Sequence, residues 1–127
     1  MNIKIMCDKD NELLEFKNKL KKSLLKESVY KKYNIKFIKN KKIDIYIIIS
    51  NDLEYIYKNS FNITKNPGLV ILTSNLKAAN IIGCLNITPY VYYIKTKMES
   101  IMFKIIRIYE KNTNTSSNLY FPVKKDS

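Results

Sequence analysis

Apolar residues along this chain alternate in some stretches and recur every third or fourth position in others, and that change of period separates strands from helices. Ile3, Ile5 and Cys7 alternate with Asn2, Lys4 and Met6, which predicts a first strand over residues 2–7. Asp8, Asp10 and Asn11 then offer side-chain oxygens to the free N–H groups of a helix start. Leu13, Phe16, Leu20 and Leu24, with Leu14 and Leu25 beside them, mark one face of a helix over 11–28, and lysines fill the other face. Asn34–Ile38 is a short second strand, and the run IDIYIIIS, Ile43–Ser50, has the β-branched continuity of a central strand buried on both faces. A short helix or turn over 52–59 follows. Pro67-Gly68 punctuates the chain before a fourth strand, Leu69–Thr73. Asn75 caps a helix carrying Leu76, Ala79, Ile82 and Leu85, Pro89 precedes a strand Tyr90–Ile94, and Thr96 with Glu99 forms a capping box. Met98, Ile101, Met102, Ile105 and Tyr109 continue as a helix to about residue 111.

Strands that alternate with helices predict an α/β fold in which a parallel, doubly wound sheet lies between two helical layers. One link departs from this. Lys39–Lys42 is too short for a crossover helix. The helix between the second and third strands is therefore shortened or missing, or the two strands form a local hairpin.

Length and composition narrow the picture. At 127 residues, 46% hydrophobic, the chain is one domain with enough material for a core. No stretch is apolar for long enough to span a bilayer, and MNIKIMCDKD lacks the basic and apolar regions of a signal peptide. Cys7 and Cys84 read as buried free thiols of a reducing, cytoplasmic compartment. With no histidine and two cysteines, no metal site and no cofactor are expected. The net charge is +12, and Lys17–Lys42 holds eleven lysines against a single acid, Glu27. Such a face suits nucleic acid, but lysine outnumbers arginine 22 to 1, the signature of an A/T-rich genome rather than of bidentate phosphate or guanine recognition. Nucleic-acid binding by this face is the alternative reading, and membrane binding is not expected.

NIKIMCDKDNELLEFKNKLKK, LVILTSNLKAANIIGCLNITPYVYYIKTKMESIMFKII and the 22-residue spacing from Thr73 to Lys95 resemble the receiver domain of LytTR-type bacterial response regulators, over residues 1–112. The resemblance implies a sheet in the order 2-1-3-4-5. It also implies a phosphotransfer pocket: an acidic pair for Mg²⁺ after the first strand, an aspartate acceptor ending the third, a hydroxyl ending the fourth and a lysine ending the fifth. Asp8 matches the first acid, Lys9 falls where the second belongs, and Asp10 is next door. Thr73 and Lys95 match the hydroxyl and the lysine, with Thr96 in place of the usual proline. The acceptor position falls on Ile49, or on Ser50 if the register slips by one, and neither forms an aspartyl phosphate. Asp52 lies past the strand end.

The resemblance therefore implies a degenerate, non-enzymatic pseudo-receiver. Lys95 is expected to be a solvated loop lysine or to pair with Asp8 in place of a metal. The family's fourth-helix, fifth-strand and fifth-helix face, here Tyr90, Tyr92, Lys95, Lys97 and Lys104, would bind a protein partner or a second copy in transcriptional signalling. Residues 113–127 form a polar tail, with Leu119–Val123 expected as a lone extended segment. Its SSNLYFPVKKD resembles the opening strand of a LytTR DNA-binding domain, as a truncation point or a coincidence.

Overall fold

A computed structural model describes residues 1–63 and 66–113; the tail from 114 onward, with the extended segment expected over Leu119–Val123, lies outside the described residues. Five strands, β1 (Asn2–Cys7), β2 (Lys36–Phe37), β3 (Ile45–Ile49), β4 (Leu69–Thr73) and β5 (Val91–Tyr93), form one sheet in the order β2-β1-β3-β4-β5. Every neighbouring pair is parallel. The helices are α1 (Asn11–Lys26), α2 (Leu53–Ser60), α3 (Leu76–Cys84) and α4 (Met98–Thr113), with 3₁₀ turns over Ser28–Tyr33 and Phe61–Ile63. The sheet order is that of flavodoxin-like folds, as expected.

The isoleucine run of β3 explains the three layers. Ile45, Ile47 and Ile49 turn to one face and meet Leu13, Phe16, Leu20 and Leu24 of α1 and Ile101, Met102 and Ile105 of α4. Ile48, with Leu69 and Ile71 of β4, turns to the other and meets Ile56 of α2 and Ala78 and Ile82 of α3. Each such side chain removed from water stabilises the fold by about 2 kcal/mol.

The short link between β2 and β3 has a simple geometry. Both strands pair with β1, on opposite sides: Ile3 stands level with Phe37 and with Ile45. The chain leaves β2 and enters β3 at the same height, so no crossover helix is needed, and the two strands do not form a hairpin. Asn2 pins the link. Its N–H donates to Asp44 Oδ2 over 2.7 Å, its side-chain amide donates to the Lys42 carbonyl over 2.9 Å, and its carbonyl accepts from the Asp44 N–H over 2.9 Å.

Asp10 caps α1 by accepting from the Leu13 N–H, and Asn75 caps α3 by accepting from the Ala78 N–H. The capping box expected from Thr96 and Glu99 is not formed. Helix α4 begins at Met98, so Lys97 stands in the cap position, its carbonyl accepting from Ile101 N–H, while the Thr96 hydroxyl donates to the Tyr93 carbonyl. Burial of the two thiols also departs from expectation. Cys7 is only half-buried, and Cys84, in the last turn of α3 and two residues past the buried Ile82, is exposed. Among the described residues no helix is long and apolar enough to cross a membrane.

Candidate functional site

In this sheet the connections from β1 and from β3 run to opposite sides, which opens a crevice between their carboxyl ends, the place where open α/β sheets bind ligands. Asp8 follows β1 and Ser50 follows β3, so these two residues flank it. Of the two readings of the third strand's end, it is Ser50 that faces Asp8; Ile49 is fully buried in the apolar layer under α1 and α4. Ser50 Oγ donates to Asp8 Oδ2 over 2.8 Å and accepts from the Asp52 N–H over 2.9 Å. The other Asp8 oxygen accepts from the Lys9 N–H over 2.8 Å. Asp10 is spent on capping α1, and Asp52 caps α2 by accepting from the Glu54 N–H.

Beside this pair, Asn51 ties β3 to β4. Its Oδ1 accepts from the Thr73 hydroxyl and from the Ser74 N–H, and its Nδ2 donates to Ser74 Oγ over 2.7 Å. The Thr73 hydroxyl in turn accepts from the Asn75 N–H over 3.2 Å, at the start of α3. Ser50, Thr73 and Ser74 are buried, and their hydroxyls bond Asp8 and Asn51. Sequence reasoning missed Asn51 because it looked for a carboxylate at this strand end. Asn51 stands two residues beyond Ile49, the last apolar position of β3, and its long-range partners leave no mark on the local sequence.

Lys95 does not join the pair. Its Nζ lies 3.4 Å from Glu12 Oε2, with both side chains 53% exposed. The expected Lys95–Asp8 bridge is therefore corrected to Lys95–Glu12. Asp8 already accepts from Ser50 and Lys9, whereas Glu12 stands free in the first turn of α1, and a solvated pair of this kind contributes little to stability. Burial, and then the charge of Asp8, raise the Tyr55 phenol above its ordinary pKa; burial also raises the Cys7 thiol, against the pull of Lys17. Among the described residues no group of three His, Cys, Asp or Glu side chains is placed to hold a metal ion.

A second concavity, about 540 Å³, opens between β5 and α4. Tyr90, Tyr92 and Lys104 of the expected interaction face line it, together with Phe103 and Arg107, which the sequence reading did not include. Lys95 and Lys97 are exposed but lie outside its lining. Lys104 Nζ sits 4.6 Å from the centre of the Tyr92 ring, and the Arg107 guanidinium 5.7 Å from that of Phe103. Burial, with a smaller contribution from Tyr90, raises the Tyr92 phenol.

No protein-family model matches this chain, and neither a curated protein nor a solved structure does.

Proposed function

We propose that this chain is a phosphorylation-independent pseudo-receiver, a cytoplasmic and non-enzymatic module that regulates transcriptional signalling through protein–protein contact. One observation carries the reading: where a receiver holds its phospho-accepting carboxylate, at the carboxyl end of β3, stands Ser50, buried and bonded to Asp8. A phosphoryl acceptor must present a carboxylate to a metal and to a solvated donor. Here the acid's partner is a hydroxyl, Asn51 satisfies the neighbouring Thr73 and Ser74, and the lysine past β5 is paired elsewhere. The surface left for function is the β5–α4 face, where tyrosines and cations are interleaved.

Two measurements test this. Intact mass after acetyl phosphate and Mg²⁺ should be unchanged; a stoichiometric phosphoryl group would refute the reading. A photo-crosslinking residue at Tyr92, introduced in the native cell, should capture a protein or a second copy of the chain, whereas one at Lys22 should not. The second reading, nucleic-acid binding, is favoured by Lys19, Lys22 and Lys26, exposed on α1 beside Met98 of α4. Tight oligonucleotide binding at physiological salt, with a steep salt slope, would support it instead.

A further inference from the structure

Resting on the interaction reading, we infer that the β5–α4 groove receives an extended acidic segment of a partner protein, with Arg107 holding one of its carboxylates. Charge is the first argument. The groove is lined by Lys104, Arg107 and Lys111, and neither Lys104 nor Arg107 forms a salt bridge among the described residues. The acid in the lining, Glu110, accepts a hydrogen bond from the Tyr33 hydroxyl and so is turned toward the 3₁₀ turn. Lys104 and Arg107 lie over aromatic rings, which hold them in place without neutralising them.

Residue identity is the second argument. Arg107 is the single arginine among 23 basic residues. A composition that supplies lysine everywhere else supplies arginine at this groove. Arginine offers what lysine cannot, a planar fork that grips a carboxylate through two parallel hydrogen bonds.

Backbone geometry is the third and decides between a peptide and a nucleic acid. Strand β5 ends the sheet. Tyr90 gives its carbonyl to Ile71 N–H, and Ile94 gives its N–H to the Thr73 carbonyl. Tyr90, Tyr92 and Ile94 thus turn their backbone inward to β4, and Val91 turns its own to the open edge. An extended peptide can pair there and lay alternate side chains into the groove. Tyr90, Tyr92 and Phe103 give those side chains an apolar floor that a phosphate backbone would not use.

The test uses a fluorescein-labelled peptide of alternating glutamate and valine, followed by anisotropy at about 150 mM salt. The full chain should bind it, and the same peptide with glutamine in place of glutamate should not bind. Arg107→Lys, which keeps the charge and loses the fork, should weaken binding about tenfold. The double variant Lys19→Ala/Lys22→Ala, on the α1 face, should change it less than about twofold. Equal losses in the two variants, no binding of the glutamate peptide, or tighter binding of an oligonucleotide would overturn the inference. So would a Tyr92 crosslink to a partner segment without acidic residues, an outcome that leaves the interaction reading intact.

Discussion

Ser50 and Asp8 face each other across the crevice between β1 and β3, the hydroxyl donating to the carboxylate over 2.8 Å. A charge-assisted bond of this kind holds a single negative charge in a partly buried place without a counter-ion. A second carboxylate there would need a cation between the two. The crevice is thus built for one charge.

Ser50→Asp should reverse this. Two carboxylates at contact distance repel, and the variant should lose about 2 kcal/mol of stability at neutral pH. The sign follows from repulsion: the penalty exists only while both acids are ionised, so it should shrink in acid. Millimolar Mg²⁺ should also restore stability to the variant and leave the parent unchanged. Urea melts across pH and Mg²⁺ measure both; a variant as stable as the parent and indifferent to Mg²⁺ would show that the two positions do not share a site.

Asn51→Ala should cost about 2–3 kcal/mol, because Thr73 and Ser74 are buried and both lose their partner. Asn75→Ala, which removes only the α3 cap, should cost about 1 kcal/mol. Chemical denaturation of the two variants gives the comparison. Equal costs would mean that Asn51 serves only as a surface link.

The periodicity of Leu13, Phe16, Leu20 and Leu24 and the isoleucine run of β3 make the layers legible in the sequence, because burial imposes those periods directly. The capping roles of Asp10 and Asn75 are legible for a similar reason: the side chain acts on its own neighbours three residues on. What local sequence does not carry is which distant side chains meet. Glu12 and Asp8 are both acids near the start of α1, and only the path of the chain after β5 brings Lys95 to Glu12. Asn51 bonds residues more than twenty positions away through the β3–β4 pairing, and nothing in its local sequence announces that. Arg107 and Phe103 have the spacing of further solvated positions on an amphipathic helix, and it is β5 that closes the groove opposite them.

Tyr33 donates its hydroxyl to Glu110, and this bond, with burial and the charge of Glu110 behind it, pushes the phenol up to about 12. A phenol raised above its unfolded value contributes stability that is complete below about pH 10 and lost as the pH rises through about 12. The contact joins the 3₁₀ turn after α1 to the end of α4, with Tyr109 packed edge-on against Tyr33 at 5.9 Å. Spectrophotometric titration should therefore show, beside the raised phenols of Tyr55 and Tyr92, a tyrosine ionising at about pH 12 that is absent from Tyr33→Phe and shifted down in Glu110→Gln. If Glu110→Gln leaves the late phenol in place, the carboxylate is not its cause.

The same substitution at the chain's two glycines should act in opposite directions. At Gly68 an added Cβ would lie 2.2 Å from the Asp44 carbonyl oxygen, a backbone atom that cannot swing aside. Gly68 also accepts from the Tyr46 N–H over 2.8 Å at the entry to β3, and Asp44 is the residue that anchors Asn2 of β1. Relieving the clash must therefore push apart three strands that meet there. Neither glycine has a positive φ, so the cost is one of space rather than of backbone conformation. Gly68→Ala should destabilise by about 2–3 kcal/mol, the range for forced overpacking. At Gly83, inside α3, nothing lies within 4 Å of the added carbon. Gly83→Ala should stabilise by about 0.5–1 kcal/mol, since alanine has less backbone freedom to lose on entering the helix. Thermal or urea unfolding of the two variants reads the signs directly. A Gly68→Ala protein as stable as the parent would mean that β3 and β4 do not approach as closely at their entry as this packing requires.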